Sequence, residues 1–352
     1  MDFGTFHLHS APADRPPRTI VHEHFRQMLA AERLGFAEAW IAEHNAREYG
    51  FIGNSVIVAA ALAAATTRIR IGTAVTRLPV HNPLHLAEDL AYADILSGGR
   101  VDWGVGKGYD EHEFATYGVN FAEREERWEE TFNAVRQMWS TGRTAYNGEF
   151  YRLGDGQLIP LPQQVPLPTY IMVSGSERSV TWAAERLLPI VIGSGPGWDD
   201  MRARLELYAE TADRHGHSRA DIEATIAQTW QLRPVHVAPT YEQAVSEFEH
   251  GLMWYMRSLD NRAMFGFSHE SKDYDYFLTH GAVLVGPPAK LADDLAEYNE
   301  RTGINKVICW FNVGGQPAAQ TLGSMELFAG EVAARLADVE TDGLRRPATP
   351  AL

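Results

Sequence analysis

Short apolar runs alternate with helical stretches along this chain, and that alternation limits the folds open to it more than any other feature. Residues 3–9 read as a strand and 19–34 as an amphipathic helix stopped by Gly35. A strand-like run at 36–42, an Ala-rich helix at 55–66 and a β-branched run at 68–76 follow. Next come a helix at 83–96, with Pro83 opening it and Gly98-Gly99 closing it, a strand at 100–105 and a long helix at 124–139. The rhythm breaks at 142–168, where Asn147-Gly148 reads as a hairpin tip and Pro160, Pro162, Pro166 and Pro168 crowd one connection. It then resumes with strands at 169–173 and 189–192 and helices at 177–187 and 198–215. A long strand candidate at 223–237 and a helix at 241–254 come next, then a helix at 288–302, a strand at 306–311 and a last helix at 318–336. Eight strands with crossover helices and no linker favour an α/β architecture closed as a (β/α)8 TIM barrel over an open doubly wound sheet. The expected organisation is one barrel over 1–338 carrying insertions at 142–168 and 255–282, with a disordered tail at 339–352. The second insertion is aromatic, polar and aperiodic, and a loop of that length is usually functional or mobile.

Composition removes several function classes. Lys plus Arg number 31 against 46 Asp plus Glu, a formal charge of −15. A general nucleic-acid binder or a membrane-surface protein wants a basic face, so neither partner is expected. A bound phosphate would need a local cation. Cys309 is the one cysteine and lies in an apolar run, which leaves no disulfide and no cysteine-rich metal site. The start of the chain lacks the pattern of a signal peptide, and the longest apolar stretch, 56–65, is too short for a bilayer. A cytoplasmic protein is expected.

In a barrel, chemistry gathers on the loops after the strands. Those loops here are Glu43-His44-Asn45, Thr73-Ala74-Val75, Gly106-Lys107-Gly108-Tyr109, Ser174-Gly175-Ser176 and Gly193-Ser194-Gly195. Ser174 to Ser179 runs from strand into helix, where free N–H groups can hold an anion and Ser176 and Ser179 can add hydroxyls. Ser176 acting only as an N-cap is the plainer reading. Lys107 supplies the missing cation, and Arg124 is a second. His44 sits on the catalytic face with a ring suited to acid–base work, although a lone histidine is commonly structural. His7 with His9, and His81 with His85, have spacings that permit a metal pair without a convincing third ligand. Asp110-Glu111-His112-Glu113 reads as a solvated acidic loop. Trp103, Trp230 and Trp310 lie in strands that could line a barrel pocket.

These segments resemble the bacterial luciferase-like flavin monooxygenases. The likeness rests on Gly35-Phe36, Trp40-Ile41-Ala42-Glu43-His44, Ile71-Gly72-Thr73-Ala74-Val75, His81-Asn82-Pro83-Leu84, Leu96-Ser97-Gly98-Gly99-Arg100, Gly104-Val105-Gly106-Lys107-Gly108 and Trp182-Ala183-Ala184-Glu185-Arg186, and it spans residues 1 to about 338. The resemblance implies reduced FMN lying across the strand ends, delivered by a separate flavin reductase. Oxygen would add to give a C4a-hydroperoxyflavin that oxidises a small-molecule substrate by hydroxylation, epoxidation or Baeyer–Villiger insertion. By the same resemblance His44 is the catalytic histidine, and Ala74-Val75 is a non-proline cis peptide beneath the flavin. Lys107, Gly175, Ser176 and Ser179 form the phosphate cradle, with Arg124 matching less closely. Glu43, Gly106, Val173 and Ser194 complete the cofactor-binding set. The segment 255–282 matches a lid, and helices two and three match a homodimer interface.

Departures from the family pattern add expectations. Lys107 stands where an arginine fork is common. Gly106 replaces a pocket cysteine, which implies more room above the flavin and a bulkier substrate. Asn45 replaces a second histidine, which argues against light emission. A deazaflavin-dependent oxidoreductase on the same barrel, and a flavin-binding protein without catalysis, are the alternatives.

Overall fold

The computed structural model describes residues 1–10, 12–195, 197–259, 273–280 and 282–337. Eight parallel strands close into a barrel: β1 (Asp2–His7), β2 (Glu38–Ile41), β3 (Arg70–Thr73), β4 (Val101–Gly106), β5 (Thr169–Val173), β6 (Ile190–Ile192), β7 (Trp230–Val237) and β8 (Lys306–Trp310). They pair in chain order, and β8 returns to β1 with Lys306 opposite Asp2. Around them run α1 (Pro17–Leu34), α2 (Ser55–Ala65), α3 (Pro83–Ser97), α4 (Glu111–Thr116) and α5 (Arg124–Thr141). The second half adds α6 (Glu177–Glu185), α7 (Trp198–Arg214), α8 (Arg219–Ile226), α9 (Tyr241–Ser258), α10 (Tyr274–Thr279), α11 (Pro288–Thr302) and α12 (Ala318–Leu327). Among the described residues no helix is long and apolar enough to cross a membrane.

Local chemistry sets the ends of these helices. The Asn54 side chain accepts the Val56 N–H at the start of α2, and Asn82 accepts those of Leu84 and His85 at the start of α3. Each satisfies a donor that has no partner inside its helix. Gly35 and Gly98 take the left-handed conformation that ends α1 and α3.

Alternate strand residues divide the core into two layers. Outward-facing Phe3, Ile71, Trp103, Val105 and Val173 join the helices, while inward-facing Phe6, Trp40, Tyr170, Trp230 and Ile308 fill the barrel. Trp40 is fully buried in the middle of that interior. A Cβ on Gly72 would lie 2.3 Å from its ring, so the strand beside it carries glycine there because one large side chain occupies the space of two.

Several expectations change. Trp103 points outward and stacks on Phe132 at 5.6 Å, so it lines no barrel pocket, whereas Trp230 faces inward 6.0 Å from Trp40. The strand expected over 223–237 starts only at Trp230, because residues 219–226 form α8. Ser218 caps that helix and an Arg219–Glu223 pair braces it. The hairpin in 142–168 pairs Tyr146–Asn147 with Arg152–Leu153, so its tip is 148–151 and not Asn147-Gly148. Glu130 on α5 fixes that tip by accepting the N–H groups of Glu149, Phe150 and Tyr151. In the 255–282 segment, 255–258 finish α9 and 274–279 form α10. Residues 260–272, and with them most of the expected lid, lie outside the described residues, as does the tail at 339–352.

Candidate active site

The residues after β2, β3 and β4 meet in one buried polar network at the C-terminal mouth of the barrel. Glu43 is 1% exposed. Its Oε2 accepts the N–H and hydroxyl of Ser55, and its Oε1 lies 2.7 Å from His81 Nε2 and 3.6 Å from Arg77 Nε. Burial works to raise this carboxyl, but the charge and hydrogen bond of His81, with Arg77 and the Ser55 N–H, hold it below the ordinary carboxylate range. Both Glu43 oxygens are therefore engaged by the chain's own donors. The next residue, His44, places Nδ1 2.8 Å from Oε1 of Glu113 on α4. Arg77 donates from Nη1 to Glu113 Oε2 at 2.6 Å and from Nη2 to Asn45 Oδ1 at 2.5 Å. Tyr49 donates to Asp110 at 2.8 Å, and Arg47 grips both oxygens of that aspartate. Burial opposes ionisation of Asp110, yet Arg47 and Tyr49 keep its carboxyl below the usual range. Tyr109 packs 5.7 Å from His44, and burial pushes its phenol up, so it stays neutral.

Beside this network lies a floor built from backbone. The Ala74–Val75 peptide is cis. A Cβ on Gly106 would stand 2.7 Å from Val75 Cγ2. The missing side chain at 106 thus leaves no extra room; Val75 takes it, and the expectation of a bulkier substrate on that ground is withdrawn. Lys107 follows directly and donates to both oxygens of Glu125 at 2.7 and 2.9 Å. Arg178, in the first turn of α6, reaches the same carboxylate at 3.9 Å. Glu125 thus lies beside Lys107 and near Arg178 at the α6 N-terminus, although the Arg178 hydrogen bond goes to Glu129 at 3.3 Å. There Ser176 makes no capping bond with its hydroxyl, and a Cβ on Gly175 would meet nothing within 4 Å. Ser179 is 4% exposed on the same turn.

The remaining expected site residues stand apart from this cradle. The contacts of Arg124 go to the carbonyl and ring of Phe121. The Val173 side chain is fully buried in the outer layer, and its carbonyl accepts the Gly193 N–H, so its side chain faces no ligand at the mouth. Ser194 lines a different, apolar cleft with Pro234, Leu252, Tyr255, Phe277 and Trp310. Tyr255 packs edge-on against both Trp310 and Tyr49, which links that cleft to the ring of His44.

The family model for luciferase-like monooxygenases matches residues 1–306. The chain belongs to that family. An alkanal monooxygenase alpha chain from the Kryptophanaron alfredi symbiont is 26% identical, over 94% of this chain and 97% of that one. Limonene 1,2-monooxygenase of Rhodococcus erythropolis is 27% identical, over 95% and 86%. The crystal structure of monooxygenase RslO1 from Streptomyces bottropensis superposes with a TM-score of 0.85 at 25% identity, covering 95% of this chain and 99% of that one.

Within this luciferase-like monooxygenase, sequence reasoning missed most of the polar network. Asp110 and Glu113 are 8% and 1% exposed, so only Glu111 and His112 of the acidic run face solvent as expected. Its place immediately after β4 was the available signal, since that position belongs to the catalytic face. Arg77 and Tyr49 carried none. His7 and His9 do gain a neighbour in His24 of α1, 5.9 and 4.6 Å away by ring centroids. Even so, among the described residues no group of three or more histidine, cysteine or acidic side chains is arranged to hold a metal. Cys309 is fully buried, and burial pushes its thiol up, away from reactivity.

Proposed function

We propose that this chain is the oxygenating component of a two-component monooxygenase, taking reduced FMN from a separate reductase and acting on a small uncharged substrate. The observation that carries the reading is the position of Lys107 and the α6 N-terminus near Glu125, beside the cis peptide and the His44 network. That donor set fits a phosphate-bearing group: backbone N–H groups at a helix start, an uncommitted Ser176 hydroxyl and one cation. Lys107, Gly175, Ser176 and Ser179 would hold the phosphate, with Ala74, Val75 and Gly106 under the ring. When bound, the flavin would supply activation of oxygen. His44 then holds or moves a proton at its Nε2, and the cleft under α9 receives an apolar substrate. Hydroxylation, epoxidation and Baeyer–Villiger insertion all fit such a site.

Anaerobic titration with reduced FMN, and in parallel with reduced deazaflavin, tests the cofactor. Tighter binding of reduced FMN, with oxygen uptake stimulated by one member of an alkanal and monoterpene panel, is the expected result. His44→Ala should keep flavin affinity within about threefold and lower substrate-dependent uptake by about 10²-fold or more, the range of general acid–base catalysis. Hydride transfer from the deazaflavin without oxygen uptake would overturn the reading. A homodimer through α2 and α3 belongs to the same proposal. Ile57, Tyr92, Ile95 and Leu96 are large apolar side chains exposed on those helices. Sedimentation should give a dimer that Ile95→Glu splits, and a monomeric wild type would remove this part.

A further inference from the structure

We propose that Glu113 is the positioning residue for His44, fixing its ring as the Nδ1–H tautomer so that Nε2 faces the barrel mouth as the working nitrogen. The inference rests on the reading of His44 given above and concerns a residue outside the cofactor cradle.

The hydrogen-bond directions leave one arrangement. Glu113 Oε2 accepts from the Arg77 guanidinium at 2.6 Å. Its Oε1 accepts from the Asn45 backbone N–H at 3.3 Å, while the Tyr49 hydroxyl, 3.4 Å away, gives its proton to Asp110. Every partner that can only donate here points at the carboxylate, so Glu113 serves as an ionised acceptor. His44 Nδ1, 2.8 Å from Oε1, must then carry the proton. A neutral ring with Nδ1 protonated bares its lone pair at Nε2. Glu113 is itself held from three sides, by α4, by Asn45 after β2 and by Arg77 after β3, so the ring it orients is fixed as well.

The other charged and titratable groups around His44 support the same assignment. Arg77 neutralises Glu113 and faces Glu43 with its Nε. Asp110 is matched by Arg47. His81 is turned to Glu43. Tyr49 and Tyr109 beside the ring, and Tyr255 beyond Tyr49, are phenols pushed up by burial and remain neutral. Glu113 is thus the one anion in hydrogen-bond contact with the imidazole among these groups. It also stabilises the ring when Nε2 takes up a proton, as a buried carboxylate behind an acid–base histidine does.

Long-range proton–nitrogen correlation spectra of histidine-labelled, flavin-free protein test this, with His44 assigned by the signal lost in His44→Ala. The wild type should show the Nδ1–H form. In Glu113→Gln the amide oxygen is taken by Arg77, so the amide N–H₂ faces Nδ1 and the ring should switch to the Nε2–H form. A wild-type spectrum showing Nε2–H, or an unchanged tautomer in a folded Glu113→Gln, overturns the proposal. The wild-type spectrum decides by itself if that variant does not fold. Neither spectrum involves flavin, so a failed cofactor titration and a failed tautomer assignment remain separate results.

Discussion

Val75 stands in the space that a side chain at residue 106 would need. The contact is between a branched side chain and backbone on a neighbouring strand, and neither can withdraw far in a close-packed core. Gly106→Ala should therefore destabilise by about 1–3 kcal/mol, the usual cost of overpacking. Val75→Ala in the same chain should restore most of the loss, because it removes the methyl groups that the new Cβ meets. Urea midpoints of the two single variants and the double variant check this, and equal loss in single and double variants would break the explanation. The same scale shows what could be read beforehand. His44, Lys107 and the Ala74-Val75 pair were legible because each follows a strand end and matches a family motif. Glu113 was not, because nothing in Asp110-Glu111-His112-Glu113 announces a guanidinium 36 residues earlier in the chain. A buried charge is defined by its partner, and the partner is a tertiary fact.

At the scale of elements, the α6 N-terminus and the start of α5 share Glu125. The carboxylate occupies Lys107 and lies near Arg178, so it competes with any anion arriving at that helix end. Glu125→Gln should raise affinity for FMN or inorganic phosphate by about two- to fivefold, the worth of one partly exposed charge at a helix terminus. The gain should shrink at high salt. Calorimetric titration at two ionic strengths measures it, and weaker binding in Glu125→Gln would show instead that the carboxylate holds Lys107 in place for the ligand. Elements were the most legible level of this fold. Buried parallel strands read as apolar runs, and prolines, asparagines and glycines marked the helix ends. Legibility failed at α8, where a short helix runs almost directly into β7 with no proline or glycine between them. It failed again at α10, whose six residues are too few to show a period.

For the whole molecule, a second buried polar cluster packs between the end of β1 and α1. His7, His9 and His24 are 2%, 3% and 1% exposed. His7 Nδ1, His9 Nε2 and both ring nitrogens of His24 have no hydrogen-bond partner among the described residues. Burial lowers His7 to about 3, with His9 adding to the shift, and burial lowers His9 to about 4. His24 is driven well below its ordinary value, by burial first and then by its two neighbours and Arg15. All three are neutral in the folded chain at pH 7, and the unfolded chain takes up their protons near 6.5. Their folded values are depressed, so their contribution is complete above about pH 6.5 and is lost as pH falls from there toward 3–4. At pH 5 the cost is about 2 kcal/mol for His7 or His9, since each unit of separation is worth about 1.4 kcal/mol. His24 adds to the loss in the same direction. The urea midpoint should fall steeply between pH 7 and 5, and His24→Met should flatten that fall. A midpoint constant over that range would show that the three rings stay charged, or become exposed, at no cost. The fall, if found, makes acid loss of this enzyme a property of three buried rings between β1 and α1.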